Sequence, residues 1–285
     1  MQLIDKLKLL SQKLTGDLIL INDWDISQTN MDRISKTKFE VAVLPIGAIE
    51  PHNFHLPEGL DFLHADYVAK QSCRLAWENC HSVICLPAIP FGVDCNLMDF
   101  PMAIHVSQAS LDSFVKDIVT SIRHYGIRKI VLINGHGGNK FDPLLRQIQC
   151  DMDVHIFLCD WWKVGHDKYN EIFEKPDDHA GEFETSIALA LFPELVEYAK
   201  AKKALPKSFR FAALKNGWVT TSRRFSRLND FCAVGDPADA SAEKGKQYLD
   251  LVCGRISEFL AQLAQSPIDD QFPHEKVFQK VQNRH

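Results

Sequence analysis

Four short apolar runs alternate along the chain with segments of helical periodicity, and this alternation constrains the fold more than any other feature. The runs, which we predict to be buried strands, lie at about Phe39–Ile46, Ser82–Pro87, Lys129–Ile133 and Val154–Cys159. No hairpin signal stands between them. The pattern is typical of a mostly parallel sheet with helices on both faces, so we predict an α/β fold.

The predicted helices lie between the strands. Apolar residues recur at helical spacing from Ala65 to Trp77, and again from Ser110, a candidate N-cap, to Gly126, a candidate stop. Another helix is expected to begin near Phe141. The last one is expected at Asp236-Pro237, because proline suits the first helical position.

Length and composition bound the domain organisation. The chain has 285 residues, of which 46% are hydrophobic, and this suffices for one large or two small domains. No linker divides it. We therefore predict a single domain over residues 1–285, with a peripheral N-terminal arm (about 1–38) and a loosely held C-terminal tail (about 266–285).

The charge pattern excludes several classes of partner. The net charge is −5 without a basic stripe, so we expect no nucleic-acid partner. No apolar run approaches the ~18 residues of a membrane span, so we expect no membrane partner. The N-terminus lacks a signal-peptide core, which predicts a cytoplasmic protein.

The eight cysteines form no C-x-x-C pair, and several lie in apolar runs, which favours buried free thiols.

Ionisable residues directly follow the first predicted strand. Glu50 and His52 come just after it, and Asp61 can return on the following turn. Such groups are costly to bury unless they are paired or bound to a cation. The cluster therefore indicates either a metal site, in which a bridging Asp61 would suit two ions, or an acid/base cluster. An ordinary hydrogen-bonded turn with a histidine is the alternative.

The third strand ends in the glycine-rich stretch Asn134–Asn139. Glycines allow a close approach of the backbone to a ligand, and one interpretation is a phosphate cradle. However, the spacing of G-x-G-x-x-G and the lysine of a P-loop are both missing. We favour His136 as a metal ligand over a purely structural turn. Sites in parallel sheets lie outside the carboxyl ends of the strands. Trp161 follows the fourth strand as His136 follows the third, so both are expected at this edge of the sheet.

A third cluster precedes the apolar run at 187–192. It contains His179, Glu182 and Glu184. Acidic residues at a helix start are often explained by capping and by the helix dipole, but this does not explain His179. A tryptophan such as Trp161 is more often a core residue than a substrate platform, and we interpret His55 and His64 either as residues that support the ligands or as structural residues.

Four ordered motifs resemble those of the creatininase (creatinine amidohydrolase) family. They are Leu44–His52 with His55–Pro57 and Asp61, then Asn134–Asn139, then His179–Ser186, and finally Gly235–Pro237 with Ala242–Gly245. The resemblance covers roughly residues 38–264. It implies a three-layer α/β/α sandwich with a mostly parallel central sheet, two divalent metal ions per chain (Zn, Mn or Fe), and assembly as a homo-oligomer, typically a hexamer.

The resemblance also implies a set of metal ligands. Glu50, Asp61 and His136 would hold one ion. His52, Asp61 and Glu182 would hold the other, with Asp61 bridging. In creatininase itself, a glutamate two residues after the motif histidine binds the second ion. Gly138 stands there in this chain, so Glu182 is the expected replacement.

Other departures from the family pattern concern the pocket. The usual Glu-Gln-His-Gly-Pro-His is replaced by the sequence of Glu50–His55, and Asp94 and Leu97 stand where the family often carries a serine and a histidine. These differences argue against creatinine as the substrate, while the expected ligands are intact. We predict Asp94 and Trp161 to be substrate-binding residues.

The expected activity is hydrolysis of a C–N bond in a small or cyclic amide by a hydroxide shared between the two ions. His179 is predicted to carry a proton to the leaving nitrogen, because imidazole titrates near neutral pH. Glu184 is expected to orient His179 or a ligand. The alternatives are a ring-opening hydrolase of a cyclic ketone or sugar-derived molecule, and a non-catalytic metal-binding α/β protein.

Overall fold

The computed structural model describes residues 22–275, and every statement about the fold concerns this range. Its four strands are β1 (Val41–Ile46), β2 (Val83–Cys85), β3 (Lys129–Asn134) and β4 (His155–Asp160). The helices are α1 (Met31–Ile34), α2 (Leu60–Cys80), α3 (Gln108–His124), α4 (Asp142–Asp151), α5 (Tyr169–Ile172), α6 (Glu182–Leu191), α7 (Ala212–Lys215) and α8 (Ala242–Gln265). Short 3₁₀ turns connect several of them.

The strands form one parallel sheet in the order β2-β1-β3-β4. Val43 of β1 pairs with Cys85 on one side and Val131 on the other. Because all four strands run in the same direction, their carboxyl ends meet at a single edge of the sheet. The predicted parallel α/β arrangement is confirmed, although β1 begins two residues after Phe39.

Side chains alternate between the two faces of the sheet and build two cores. Val41, Val43 and Ile133 face a core that includes α2, α6 and α8. Leu44 and Leu132 face a second core, which α3 and α4 complete. Helices therefore cover both faces, and the expected three-layer sandwich is confirmed.

The close crossing of α6 and α8 depends on a glycine. A Cβ added at Gly245 would lie 2.0 Å from the carbonyl oxygen of Ser186. The two helix backbones can approach this closely only because position 245 carries no side chain. This contact fixes α6, which carries the third ionisable cluster.

Two predicted helix starts differ from the observed ones. Helix α3 is capped by Ser107, whose Oγ accepts a hydrogen bond from the amide of Ser110 at 3.2 Å. Asp236 caps only a 3₁₀ turn, and α8 begins after a separate cap, Ser241. In both cases several polar residues near the true start could act as caps, and the pattern did not distinguish them.

The described part of the N-terminal arm is anchored to the sheet. Trp24 is buried, its carbonyl accepts a hydrogen bond from the amide of Cys85 at 2.6 Å, and the amide of Ile26 donates to the carbonyl of Cys85. At the other end, Phe272 packs on Phe157 of β4. Residues 1–21 and 276–285 of the predicted arm and tail lie outside the described residues. No helix within residues 22–275 has the length and apolar character needed to cross a bilayer.

All eight cysteines are free, as predicted. Cys73, Cys85, Cys232 and Cys253 are buried, whereas Cys95 and Cys150 are exposed. The expectation of burial therefore applies to only part of the set.

Candidate metal centre

The buried ionisable residues gather at the carboxyl edge of the sheet. Glu50 and His52 follow β1, and His136 follows β3. Asp61 lies in the first turn of α2, and Glu184 lies in the first turn of α6. Four segments of the chain, spread between residues 50 and 184, thus converge on one point.

The first group at this point consists of Glu50, Asp61 and His136. Nδ1 of His136 lies 2.8 Å from Oδ2 of Asp61 and 3.1 Å from Oε1 of Glu50. These are the three residues that the family resemblance implies for one metal ion.

The second group consists of His52, Asp61 and Glu184. Nε2 of His52 lies 3.2 Å from Oδ1 of Asp61 and 3.8 Å from Oε2 of Glu184. Asp61 is therefore shared, with one carboxylate oxygen directed at each histidine. This is the arrangement required of a bridging ligand.

His179 joins Glu50 and His52 in a third possible group. Its Nδ1 lies 3.8 Å from Oε1 of Glu50, and its ring centroid lies 4.2 Å from that of His52. It precedes α6 instead of forming its first turn with Glu182, as the sequence had suggested.

Each of these three histidines uses one ring nitrogen for a backbone carbonyl. Nδ1 of His52 donates to Glu50 O at 3.0 Å, Nε2 of His136 donates to Val93 O at 3.2 Å, and Nε2 of His179 donates to Pro51 O at 2.9 Å. Because a carbonyl can only accept, the contacts assign the tautomers. The second nitrogen of each ring remains for a ligand. Nε2 of His52 is buried and has no hydrogen-bond partner among the described residues.

The protonation of the centre is strongly perturbed. Burial raises the pKa of both Glu50 and Glu184 to about 8. Burial opposes the charge of His52, but Asp61 and the other carboxylates outweigh it and raise the pKa of His52 to about 10. Burial likewise opposes the charge of Asp61, yet His52 and His136 hold its pKa below the usual range. Carboxylates and imidazoles that share buried protons in this way fit a divalent cation, which would replace those protons.

Glu182 is not part of the centre, contrary to its expected role as a ligand. Its carboxylate is fully buried, accepts the amides of Glu174 and Lys175 at 3.0 and 2.9 Å, and lies 2.6 Å from Nζ of Lys244. Residues i and i+2 of a helix face different directions, so only one of the two glutamates in this turn can face the histidines. The structure places Glu184 there.

Asp177 positions the turn that carries Glu184. Its Oδ1 accepts the amide of Gly181 at 3.0 Å, and its Oδ2 accepts the amides of Phe183 and Glu184 at 2.8 and 3.3 Å. A Cβ at Gly181 would lie 2.4 Å from Oδ1 of Asp177, so glycine is required there. Asp177 is not among the site residues that we predicted from the sequence. The available signal was an acidic residue shortly before a helix start.

A cavity of about 390 Å³ opens onto the centre. Trp161, Phe183 and Phe225 provide its apolar wall. Trp161 is 2% exposed, and its indole Nε1 has no hydrogen-bond partner among the described residues. The same holds for Nε2 of His64, which also lines the cavity and which sequence reasoning had treated as a supporting or structural residue.

Asp94 does not reach this cavity, in contrast to its predicted contact with substrate. Its side chain is 0% exposed, and Oδ1 lies 3.0 Å from Nε2 of His136, on the side of the ring away from Asp61. Nε2 of His55 lies 2.8 Å from the hydroxyl of Thr185, the residue that follows Glu184.

Steric crowding explains why glycine occupies position 138. A Cβ there would lie 2.2 Å from Nε2 of His136 and 2.4 Å from Val93 O. The ring of His136 occupies the space that any side chain at 138 would need. A ligand at this position is therefore incompatible with the observed placement of His136.

Comparison with known proteins agrees with the motifs. A family model described as creatininase, creatinine amidohydrolase, matches residues 25–260. The chain belongs to the creatininase family. The predicted resemblance is thereby confirmed, and the match begins ahead of residue 38, where the motif resemblance starts.

Three curated relatives of the creatininase-family chain carry different names. Creatinine amidohydrolase from Pseudomonas putida is 29% identical over 189 residues, which are 59% of this chain and 71% of that protein. 3-dehydro-scyllo-inosose hydrolase from Thermotoga maritima is 26% identical over 186 residues, 60% of this chain and 56% of that protein. Mycofactocin precursor peptide peptidase from Mycobacterium tuberculosis is 27% identical over 217 residues, 72% and 78% of the two chains. All three are hydrolases by name.

Solved structures share the creatininase fold. A Bacteroides fragilis protein assigned as a creatinine amidohydrolase superposes with a TM-score of 0.81 and 32% identity, covering 87% of this chain and 100% of that one. A manganese form of creatininase superposes with a TM-score of 0.71 at 22% identity, covering 86% of this chain and 100% of that one. A creatininase mutant of Zn–Zn type gives 0.70 at 20% identity, with the same coverage. The last two comparisons show the fold alone.

Proposed function

We propose that this protein is a metal-dependent hydrolase that cleaves a C–N bond in a small or cyclic amide. The observation that carries the proposal is the shared position of Asp61, whose two oxygens face His136 and His52 in separate groups of ligands. The hydrolases among its relatives support the reaction class.

The proposed ligand sets differ from the sequence prediction at one residue. Glu50, Asp61 and His136 would hold one ion; His52, Asp61 and Glu184 would hold the other. Glu184 thus takes the role expected of Glu182. Carboxylate oxygens and imidazole nitrogens suit Zn, Mn and Fe alike.

When bound, two divalent ions supply a water nucleophile of lowered pKa and stabilise negative charge on a carbonyl oxygen. The chain's own residues do the remaining work. Asp177 holds the amide of Glu184 and so fixes the turn that presents this carboxylate. Hydrogen bonds to the backbone carbonyls of Glu50, Val93 and Pro51 hold the rings of the three histidines in place. The rings therefore need not rotate during the reaction.

His179 is the proposed carrier of a proton. Burial lowers its pKa to about 3, so the ring is neutral near pH 7 and is a weaker proton acceptor than a free imidazole. Because Nε2 is engaged by Pro51 O, the nitrogen available for transfer is Nδ1. His179 lines the cavity, which supports a role in proton transfer to a substrate bound there.

The cavity supports a small substrate. Its volume of about 390 Å³ lies within the ordinary range of small-molecule sites. Trp161 contributes an apolar surface to its wall, and its side chain is 2% exposed. Asp94, which lies outside the cavity, is not part of this proposal as a substrate contact.

Ring opening of a cyclic ketone is the second candidate, and the Thermotoga maritima hydrolase, named for an inosose, favours it. The same ligands and cavity would serve. Product analysis separates the two: release of an amine or ammonia supports amide cleavage, whereas its absence with a new carboxylate supports the ketone.

The test begins with elemental analysis of protein purified without chelator, beside the Asp61→Ala variant. About two transition-metal ions per chain in the wild type, both lost in the variant, are expected, followed by turnover in a screen of amides and lactams. Absence of metal after attempted reconstitution with Zn, Mn and Fe would overturn the hydrolase mechanism and favour a non-catalytic protein. Assembly as a homo-oligomer and a cytoplasmic location remain predictions.

A further inference from the structure

Asp94 is a buried carboxylate without a hydrogen-bond donor. Neither of its oxygens has a hydrogen-bond partner among the described residues, and the side chain is 0% exposed. Burying an ionised carboxylate in this way is costly unless a positive or strongly polarised group compensates. The nearest such group is Nε2 of His136, 3.0 Å from Oδ1.

His136 lies between Asp94 and the candidate metal centre. Its Nδ1 faces Asp61 and Glu50 at 2.8 and 3.1 Å, whereas its Nε2 faces Asp94 and Val93 O. Val93 O and a carboxylate oxygen of Asp94 both accept hydrogen bonds, which favours a proton on Nε2. A cation that displaces the proton shared by Nδ1 and Asp61 would then meet the lone pair of Nδ1.

We propose that Asp94 is a positioning residue that holds His136 in the Nε2–H tautomer and strengthens Nδ1 as a ligand of a divalent cation. This inference rests on the proposed function, because it concerns the ion held by Glu50, Asp61 and His136. A cation on Nδ1 polarises the ring and makes the Nε2–H a stronger donor, which gives the buried carboxylate the partner it lacks. The carboxylate in turn makes the imidazole a more basic ligand.

Hydrogen bonds to the backbone of residues 93 and 94 hold Asp94 beside His136. Asn139 Oδ1 accepts the amide of Val93 at 3.1 Å, and Nδ1 of His105 accepts the amide of Asp94 at 3.1 Å. Gly138 lies at the same edge of the ring, where a Cβ would come within 2.2 Å of Nε2 and 2.4 Å of Val93 O. The absence of a side chain at position 138 therefore leaves room for Nε2 of His136 beside the 93–94 segment.

The position of Asp94 outside the cavity separates this role from a contact with substrate. A substrate-binding residue would change KM for one substrate and leave metal affinity unaltered. A positioning residue for His136 changes metal affinity before any substrate is present. The inference can therefore be tested without knowing the substrate.

The experiment measures zinc affinity of the full-length, metal-stripped protein by competition with a chromophoric chelator at fixed pH. Asp94→Ala and Asp94→Leu both remove the acceptor, and leucine also fills the volume with an apolar group, which guards against a failure to fold. Either variant is expected to bind one of two zinc ions about 10–100-fold more weakly, the usual effect of removing such a partner. Asp94→Asn keeps an acceptor oxygen without the charge, and we expect a smaller loss.

Asp99→Asn is the matched control. Asp99 lies on the same loop but pairs with Arg224 at the surface, with Nη2 of Arg224 2.6 Å from its Oδ1. We expect this variant to keep both zinc affinities. ¹⁵N NMR of the zinc-bound wild type is expected to show a proton on Nε2 of His136 and the metal on Nδ1.

Two results would overturn the role of Asp94 alone: both zinc affinities within twofold of wild type in a folded Asp94→Ala or Asp94→Leu protein, or a proton on Nδ1 of zinc-bound His136. A wild type that binds no zinc would overturn this inference and the proposed function together. The three outcomes are distinct, so a failure of one claim is not confused with a failure of the other.

Discussion

Glu182 and Glu184 lie in the same turn of α6, but their carboxylates have different partners. Oε1 of Glu182 is 2.6 Å from Nζ of Lys244, whereas Oε2 of Glu184 is 3.8 Å from Nε2 of His52. Residues two positions apart in a helix point in different directions around its axis. The side chain of Glu182 therefore faces α8, and that of Glu184 faces the centre. The rotation of α6 about its axis thus decides which of the two glutamates is the candidate ligand.

This difference predicts opposite effects of two similar substitutions. Glu184→Gln removes a candidate ligand and is expected to lower the metal content by about one ion per chain, measured by elemental analysis. Glu182→Gln is expected to keep both ions, and to destabilise the fold by about 1–3 kcal/mol because it weakens a buried charge-assisted contact with Lys244. Loss of an ion in Glu182→Gln, with both ions retained in Glu184→Gln, would contradict the assignment.

Metal binding is expected to release protons and to strengthen as the pH rises. In the metal-free protein the pKa of Glu50 and Glu184 is about 8 and that of His52 about 10, so these groups hold protons at pH 7. A cation must displace them, and a higher pH removes them beforehand. Zinc titration in weakly buffered solution with a pH indicator measures the release. An affinity that does not change from pH 6 to pH 8 would speak against this account.

His64 is expected to make the fold sensitive to acid. Burial lowers its pKa in the folded protein to about 3, whereas an unfolded histidine titrates near 6.5. Between these values the unfolded chain binds more protons, so stability is present above pH 6.5 and is lost as the pH falls toward 3. His64→Gln should reduce the slope of unfolding free energy by up to about 1.4 kcal/mol per pH unit in this window.

Urea unfolding of the metal-free protein between pH 7 and pH 5 measures that slope. The exposed His124 of α3 provides a control, because its replacement by glutamine changes no buried histidine. If His64→Gln and the wild type lose stability with the same slope, the acid sensitivity has another origin.

Two glycines of α8 are expected to respond oppositely to alanine. A Cβ at Gly245 would lie 2.0 Å from Ser186 O, so Gly245→Ala must push α6 and α8 apart and should destabilise the protein by about 1–3 kcal/mol. Among residues 22–275, no atom outside the neighbouring backbone of the helix lies within 4 Å of the corresponding Cβ at Gly254. Gly254→Ala should therefore stabilise by about 0.5–1 kcal/mol, through helix propensity alone. Thermal unfolding of the pair measures the difference, and equal midpoints would contradict the close crossing.

The sequence was most informative where apolar residues form a regular pattern and where ionisable residues would be costly to bury. Apolar runs such as that of β3 located the four strands to within about two residues, because a strand buried on both faces tolerates few polar residues. The ionisable residues that follow β1 and β3 stood out, since carboxylates and imidazoles seldom occur there without a partner. Glu50, His52, Asp61 and His136 were found in this way, and the structure brings them together.

The remaining features depend on packing that no local pattern records. Glu184 was distinguished from Glu182 only by the contact of α6 with α8, which passes through Gly245. The contact of Asp94 with His136 joins residues from two loops, and their distance in sequence hides it. Asp177 reaches three amides only because Gly181 lets the chain turn tightly beside it.

The wide spacing of the candidate ligands has a consequence for the unfolded chain. Asp61 and His136 are 75 residues apart, and Glu184 lies still further along. The two ions that share Asp61 would act as removable cross-links that close long loops, and they would restrict the unfolded ensemble only if they stayed bound there. Since the unfolded chain cannot assemble the set, the ions should instead favour the native state by mass action. The temperature of unfolding would then report metal concentration, and a chelator would act on this protein as a mild denaturant.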